Sequence, residues 1–196
     1  MSTVTPEEHE LPDIISVDDH VMEPKTLWQD QLPPSMRAAG PRVSREKVKL
    51  DFVGGHYGLE RNADDGDWCD VWLFEDLATP TGLLHAPAGI PRSEQRNVPA
   101  IYEDLRLGTY DRDARLEDMT LNHVDVAINF PNIFPRFAGQ GFAERADKEL
   151  GLLCLQIYND WMIDDWCGGA AKGRLIPLTL VPLWDPQLAA AEVRRC

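Results

Sequence analysis

Basic residues are scarce in this sequence: 19 Lys and Arg stand against 33 Asp and Glu, a formal net charge of −14. Nucleic-acid binding relies on Lys and Arg to displace phosphate counterions, and anionic membrane surfaces attract the same residues. Neither partner is therefore expected. Cysteine is sparse as well. Cys69, Cys154, Cys167 and Cys196 form no Cys-x-x-Cys pair, and their spacings of 85, 13 and 29 residues suit neither a zinc knuckle nor a disulfide framework. Cys154 falls in an apolar helical pattern, where a buried reduced thiol is expected. Residues 1–12 hold Glu7, Glu8 and Glu10 but no basic stretch leading into an apolar one, so no secretory signal is expected. The longest nearly uncharged apolar run, Leu175 to Trp184, is too short to span a bilayer. A cytoplasmic location is the expectation.

What the sequence does contain is ordinary for a globular chain: 43% hydrophobic and 27% charged residues, with six Trp that a disordered chain would not carry. Residues 1–12 are polar and expected to form a flexible tail. Ile14-Ile15-Ser16-Val17 then reads as a buried strand whose end turns abruptly polar at Asp18-Asp19-His20. Residues 22–110 are irregular and rich in Pro and Gly. Leu27 to Met36 predicts a short helical turn interrupted by Pro33-Pro34. Alternation over Val48 to Val53, a strand-like run over Asp70 to Phe74, and the turn material Gly54-Gly55 and Asp64-Asp65-Gly66 predict an insertion at about 40–100 containing a β-hairpin.

Regularity returns at Asp111, where Asp111 or Asp113 can cap a helix carrying Ala114, Leu116 and Met119 and ending at Asn122-His123. Val124 to Phe130 predicts a second main strand. Ala146, Leu150, Leu153, Ile157 and Trp161 recur at helical spacing, and Gly168-Gly169 ends that helix. Arg174 to Val181 predicts a third main strand, and Asp185-Pro186 starts a last helix with an acidic cap and a Pro at the first helical position. Strand, helix, strand in this order makes parallel strands. The expected fold class is α/β: the first three or so βα units of a (β/α)8 barrel, since eight units need about 250 residues. The alternative is a small three-layer α/β domain completed by residues 22–110.

Ligands in parallel α/β folds gather at the C-terminal ends of the strands. There the first strand releases Asp18, Asp19, His20 and Glu23, the second Asn129, Asn132 and Arg136, and the third Trp184 and Asp185. Asp18 and His20, one residue apart on a strand, are expected to point to one face and so to be able to bind a divalent ion. The alternative is an exposed turn in which Asp caps local amides. Arg115 and Arg106 read as structural ion-pair partners, Arg115 having Glu117 and Asp118 nearby and a substrate carboxylate as its alternative. His56 and His85 read as solvated loop residues.

The run from Ile14 through Asp18-Asp19-His20-Val21-Met22-Glu23-Pro24, with Leu27-Trp28 after it, resembles the opening of amidohydrolase-related proteins akin to aminocarboxymuconate-semialdehyde decarboxylase and the aromatic-acid decarboxylases. Asp111 to Met119 leading into Val124 to Ile128, Tyr158-Asn159-Asp160-Trp161, and Arg174 to Pro186 are similar to later stretches of the same family. The resemblance implies a metal-dependent (β/α)8 barrel holding one divalent ion, Zn or Mn, with Asp18 and His20 as first-strand ligands and two further ligands from later strands. Met22 stands where the family's HxH version would place its second His. Glu23 is implied near the site as a catalytic group. The implied activity is decarboxylation of an aromatic or unsaturated carboxylic acid, by protonation of the carbon that bears the carboxylate. Hydrolysis of an amide, lactone or carbon–carbon bond on the same fold is the alternative, and a non-catalytic degenerate barrel or interaction module the third reading. A small-molecule carboxylate is the expected partner, with a homodimer when full length. Residues 1–196 are expected to be the N-terminal portion of one such barrel domain, inactive by itself.

Overall fold

A computed structural model describes residues 13–53, 56–132 and 134–196. The expected tail at residues 1–12 and the Gly54-Gly55 turn lie outside them.

The main sheet is parallel and three-stranded, with β6 (Val124–Pro131) between β1 (Ile14–Val21) and β7 (Leu175–Pro177). On β6, Ala127, Asn129 and Pro131 are buried while Val126, Ile128 and Phe130 are only partly covered. One face of the sheet therefore packs inward and the other stays open. β1 was expected to be buried, yet Ile14, Ile15 and Val17 are 47%, 65% and 65% exposed. The cause is position: among the described residues β1 is an edge strand paired on one side only, with Ile15 and Val17 on the open face, while Val21 at its end is fully buried. The strand also runs on through Asp18, Asp19 and His20, where a polar loop was expected to begin.

β7 is shorter than the predicted run from Arg174 to Val181. It pairs with Ala127–Asn129 of β6, and beyond Pro177 a side chain replaces the ladder. Asn159, fully buried, accepts Leu180 N–H at 2.7 Å and donates to Leu180 O at 2.8 Å.

The insertion after β1 holds α1 (Leu27–Gln31) and a four-stranded antiparallel sheet ordered β3-β2-β4-β5, from β2 (Arg42–Val53), β3 (His56–Arg61), β4 (Asp67–Phe74) and β5 (Leu77–Pro80). A hairpin was expected here; the β2–β3 and β4–β5 pairs make it two, joined along β2 and β4. His56, expected in a loop, begins β3. Trp72 and Phe74 of β4 reach the main core, where Trp28 meets Trp72 edge-on at 5.2 Å and Phe134 at 5.0 Å. Edge-to-face pairs of this kind add to the burial of large apolar surfaces.

Helix α2 (Arg112–Leu121) is capped by Asp111, which accepts Ala114 N–H at 2.9 Å. It ends as the sequence predicts, but His123 rather than Asn122 takes the left-handed position (φ 58°). After the short α3 (Gln140–Ala143), α4 (Lys148–Asp160) is capped by Asp147 and buries Leu150, Cys154, Leu155, Ile157 and Tyr158. Ala146 precedes the cap, so the helical stripe starts one position later than predicted. A π-helical turn over Trp161–Trp166 extends α4, widening the helix so that Trp161, Met162 and Trp166 are all buried. Asp185 caps α5 (Pro186–Arg195) through Gln187 N–H and Leu188 N–H, as expected. No helix among the described residues is long and apolar enough to cross a membrane.

Candidate active site

The register of β1 against β6 decides where its polar residues point. Ser16 pairs with Ala127 and Asp19 with Asn129, so three steps on β1 match two on β6. This is a β-bulge at Val17-Asp18, and it reverses the alternation beyond it. In a regular strand Asp18 and His20 would follow Ser16 to the covered face. The bulge turns them to the open face instead, and His20 stacks near Phe130 with ring centroids 5.7 Å apart.

Asp18 and His20 do converge. His20 Nε2 lies 3.6 Å from Asp18 Oδ1, with the side chains 48% and 81% exposed. His20 Nδ1 sits 3.0 Å from Pro131 O, an acceptor only, so Nδ1 carries a proton and the neutral ring offers its lone pair on Nε2. A tetrahedral ion about 2.1 Å from both donors holds them about 3.4 Å apart. The pair thus fits two positions of a divalent ion's shell. Among the described residues no group of three His, Cys, Asp or Glu is placed to hold a metal.

The pair borders a cleft of about 400 Å³ whose other walls include Asp19, His85, Arg106 and Arg115. Both arginines are engaged within the chain. Arg106 forms a two-pronged pair with Asp118 at 2.6 and 2.5 Å. Arg115 donates to Gly108 O at 2.5 Å and His20 O at 2.8 Å, and meets Asp19 Oδ2 at 3.4 Å. The structural role expected of Arg115 holds, but its charged partner is Asp19 across the cleft rather than Glu117 beside it. Nε, Nη1 and Nη2 each donate once within the chain, which leaves two of the five N–H donors for its alternative role as a substrate-carboxylate clamp.

His85 is the residue that the sequence does not reveal as part of the site. Exposed, as a loop His should be, it nevertheless lines the same cleft as Asp18 and His20, some 65 positions away in sequence. Gly82 N–H donates to His85 Nδ1 at 2.9 Å, so the neutral ring carries its proton on Nε2 as a donor. No local signal in the sequence marks this, since the proximity depends on the fold of the whole insertion.

Glu23 lies two residues past β1 and is fully buried; it is not among the residues lining the cleft. Its Oε1 accepts Asn132 N–H at 3.2 Å, while Oε2 has no partner among the described residues. Burial pushes the carboxyl up to about 8, only partly offset by hydrogen bonds from backbone amides. Glu23 therefore holds a proton at neutral pH, beneath the strand ends and next to Tyr102, whose hydroxyl donates to Glu23 O at 2.8 Å. Of the other strand-end residues, Asn129 is buried and accepts Trp166 Nε1–H at 3.1 Å, and Arg136 pairs with Glu144 at 3.1 Å. Trp184 packs under Lys148, and Asp185 is consumed as the α5 cap. None of these four joins the Asp18–His20 cleft.

No family model and no curated protein matches the chain. Among solved structures, the crystal structure of an amidohydrolase from Mycobacterium avium subsp. paratuberculosis K-10 is similar, with a TM-score of 0.54 and 19% identity. The match covers 93% of this chain and 46% of that one, so the chain spans about half the length of the structure it resembles. At that identity the likeness is one of fold, and the fold it identifies is a mixed α/β arrangement built on a parallel sheet.

Proposed function

We propose that the chain forms the first βα units of a (β/α)8 barrel of the amidohydrolase type, and that its open strand ends belong to a metal-dependent enzyme. The observation that carries this reading is the convergence of Asp18 and His20 at 3.6 Å on the open face, at the C-terminal end of a parallel strand. The fold likeness supports the barrel. In this reading Asp18 Oδ1 and His20 Nε2 are two ligands of one divalent ion, Zn or Mn, and the remaining ligands come from later strands. A bound ion of this type supplies charge stabilisation to a substrate oxygen and can generate hydroxide from water near neutral pH.

The chain's own groups have separate tasks. His85 offers Nε2–H across the cleft as a donor to a substrate carboxylate or carbonyl. Glu23 keeps a proton at neutral pH and lies buried two residues past the end of β1. The reaction we favour is decarboxylation of an aromatic or unsaturated carboxylic acid, supported by the resemblance of Ile14 to Pro24 to the openings of such decarboxylases. Hydrolysis of an amide, lactone or carbon–carbon bond is the second reading, supported by the name of the structurally similar amidohydrolase.

Calorimetric titration of the chain with Zn²⁺ tests the site. Weak one-to-one binding is expected, lost in Asp18→Ala and in His20→Ala; equal binding in both variants would remove the assignment. In an active preparation, release of CO₂ identifies the decarboxylase, and water uptake without gas the hydrolase.

A further inference from the structure

The bulge in β1 needs a device to hold it. An extra residue between ladder pairs leaves backbone groups unpaired and the strand free to slip by one position, which would move every later side chain to the other face. For this chain that slip would carry Asp18 and His20 from the open face to the covered one.

Asp19 is the residue that the bulge turns the opposite way, toward the face shared by Ser16 and Asn129. Both of its carboxylate oxygens are engaged there. Ser16 Oγ donates to Oδ1 at 2.6 Å, spanning the bulge from its near side to its far side. Arg115, from α2, meets Oδ2 at 3.4 Å and donates to the backbone oxygen of His20 at 2.8 Å. The guanidinium is itself fixed: its Nε donates to Gly108 O at 2.5 Å, and its Cζ lies over the Trp166 ring, 5.7 Å from the centroid. Trp166 is in turn tied by its Nε1–H to buried Asn129, the β6 residue opposite Asp19. A closed circuit thus runs from β1 through α2 and the π-helical turn to β6 and back.

We propose that Ser16, Asp19 and Arg115 form a clamp on the bulge, and that they are positioning residues which present Asp18 and His20 together on the open face. Asp19 is thereby separated in role from its neighbour Asp18, although the sequence offers two adjacent aspartates. The functional importance of the clamp rests on the reading of Asp18 and His20 as the working pair; its structural claim does not. Lys in place of Arg115 cannot reproduce the clamp, because one ammonium cannot satisfy Gly108 O, His20 O and Asp19 at once in a planar fork.

The test reads His20 directly. Side-chain ¹⁵N–¹H correlation spectra of the 196-residue chain report which ring nitrogen is protonated, and the wild type is expected to show the Nδ1–H form held by Pro131 O. Asp19→Ala and Arg115→Ala are expected to retain the circular dichroism spectrum of the fold while His20 averages between tautomers. Arg115→Lys should behave like Arg115→Ala. Unchanged His20 signals in the folded variants would overturn the clamp. Should either alanine variant fail to fold, Asp19→Asn keeps an acceptor for Ser16 and replaces the oxygen that faces Arg115 with an uncharged amide donor. An intermediate shift at His20 is then expected, and no shift overturns the proposal. A Co²⁺ titration separates the clamp from the metal reading. Asp18→Ala and His20→Ala should abolish binding, and the clamp variants should weaken it by about 10- to 100-fold, the usual effect of removing a group that orients a ligand. If Co²⁺ does not bind the wild type, the metal reading falls, and the tautomer spectra still decide the clamp.

Discussion

Glu23 and Tyr158 come from the end of β1 and from α4, and both are fully buried with one polar oxygen unpartnered among the described residues. Burial first, and then the nearby Glu23 charge, push the Tyr158 phenol well above its ordinary value. Burial, only partly offset by backbone hydrogen bonds, also keeps Glu23 neutral, and the consequence is a measurable pH dependence. A glutamate ordinarily titrates near 4.5, and Glu23 titrates at about 8 in the folded chain. Between these values the native state binds more protons than the unfolded one. The stabilisation is fully present below about 4.5 and lost as pH rises through about 8, amounting to about 5 kcal/mol at most. Urea unfolding at pH 5, 7 and 9 should show this loss in the wild type and not in Glu23→Gln. Parallel pH curves for the two proteins would mean that Glu23 is ionised in the fold.

Glu192 works in the opposite sense. It is buried on α5 and accepts hydrogen bonds from Asn159 Nδ2 at 2.7 Å, Gln156 Nε2 at 3.2 Å and Arg195 Nε at 2.9 Å. Burial raises its pKa, but Arg195, Asn159 and Gln156 outweigh that and lower it to about 2. Its contribution is present above about 4.5 and lost as pH falls through about 2. Glu192→Leu leaves the Asn159 amide short of an acceptor and Arg195 half paired, so a cost of about 2 to 4 kcal/mol is expected in urea unfolding at pH 7. Because Asn159 also holds Leu180, hydrogen exchange at Leu180 should speed up in the same variant. Protection of that amide at the wild-type level would show that Asn159 keeps its place without Glu192.

These groups show how far the sequence could be read. Helices α2 and α5 were legible because Asp111 and Asp185 are local capping signals, and α4 because its apolar stripe repeats at helical spacing, although its cap, Asp147, came only from the structure. The three parallel strands were legible as apolar runs. The convergence of Asp18 and His20 was expected from strand alternation, and the structure brings them together by a different route. Alternation alone would have sent them to the side of Ser16, and only the bulge returns them to the open face. A bulge is a property of two strands in register, and one strand's sequence does not carry it. The end of β7 at Pro177, the π-helical turn and the place of His85 were hidden for the same reason. Each depends on a partner distant in the chain: Asn159 for Leu180, Asn129 for Trp166, and the whole insertion for His85.

The aromatic core around Trp28 should be the most sensitive region to truncation. Trp28 is fully buried, donates Nε1–H to Cys154 O at 2.9 Å, and touches Trp72, Phe134 and Phe142. Trp28→Ala is expected to cost about 3 to 5 kcal/mol, through lost burial and an unfilled cavity. Trp28→Phe should cost less, retaining most of the packing but leaving Cys154 O without this donor. A thermal melt that places both variants within a degree of the wild type would show that the insertion and the helices do not share this core.

Asp18→Ala and His20→Ala should leave the fold nearly unchanged. Both side chains are exposed, at 81% and 48%, and surface changes of this kind usually fall within about 0.5 kcal/mol. A stability loss of several kcal/mol in either variant would mark the pair as a structural contact and remove the reason to treat it as a site.

The open face of the parallel sheet gives the last prediction. Ile15 and Val17 on β1 are 65% exposed and Ile176 on β7 is 37% exposed, with Val126, Ile128 and Phe130 partly covered between them. Purely parallel sheets are found with both faces covered, and an unpaired parallel edge is a template for another strand. This chain should therefore self-associate as its concentration rises. Placing charge on the open face, as in Ile15→Lys with Val17→Lys, should suppress association without loss of stability, because neither side chain is buried in the single chain. Sedimentation velocity over a wide concentration range reads the first effect and urea unfolding the second. If the double variant sediments like the wild type, the face is not what brings chains together. If it unfolds, those residues are buried in solution and the face is already covered by part of the chain itself.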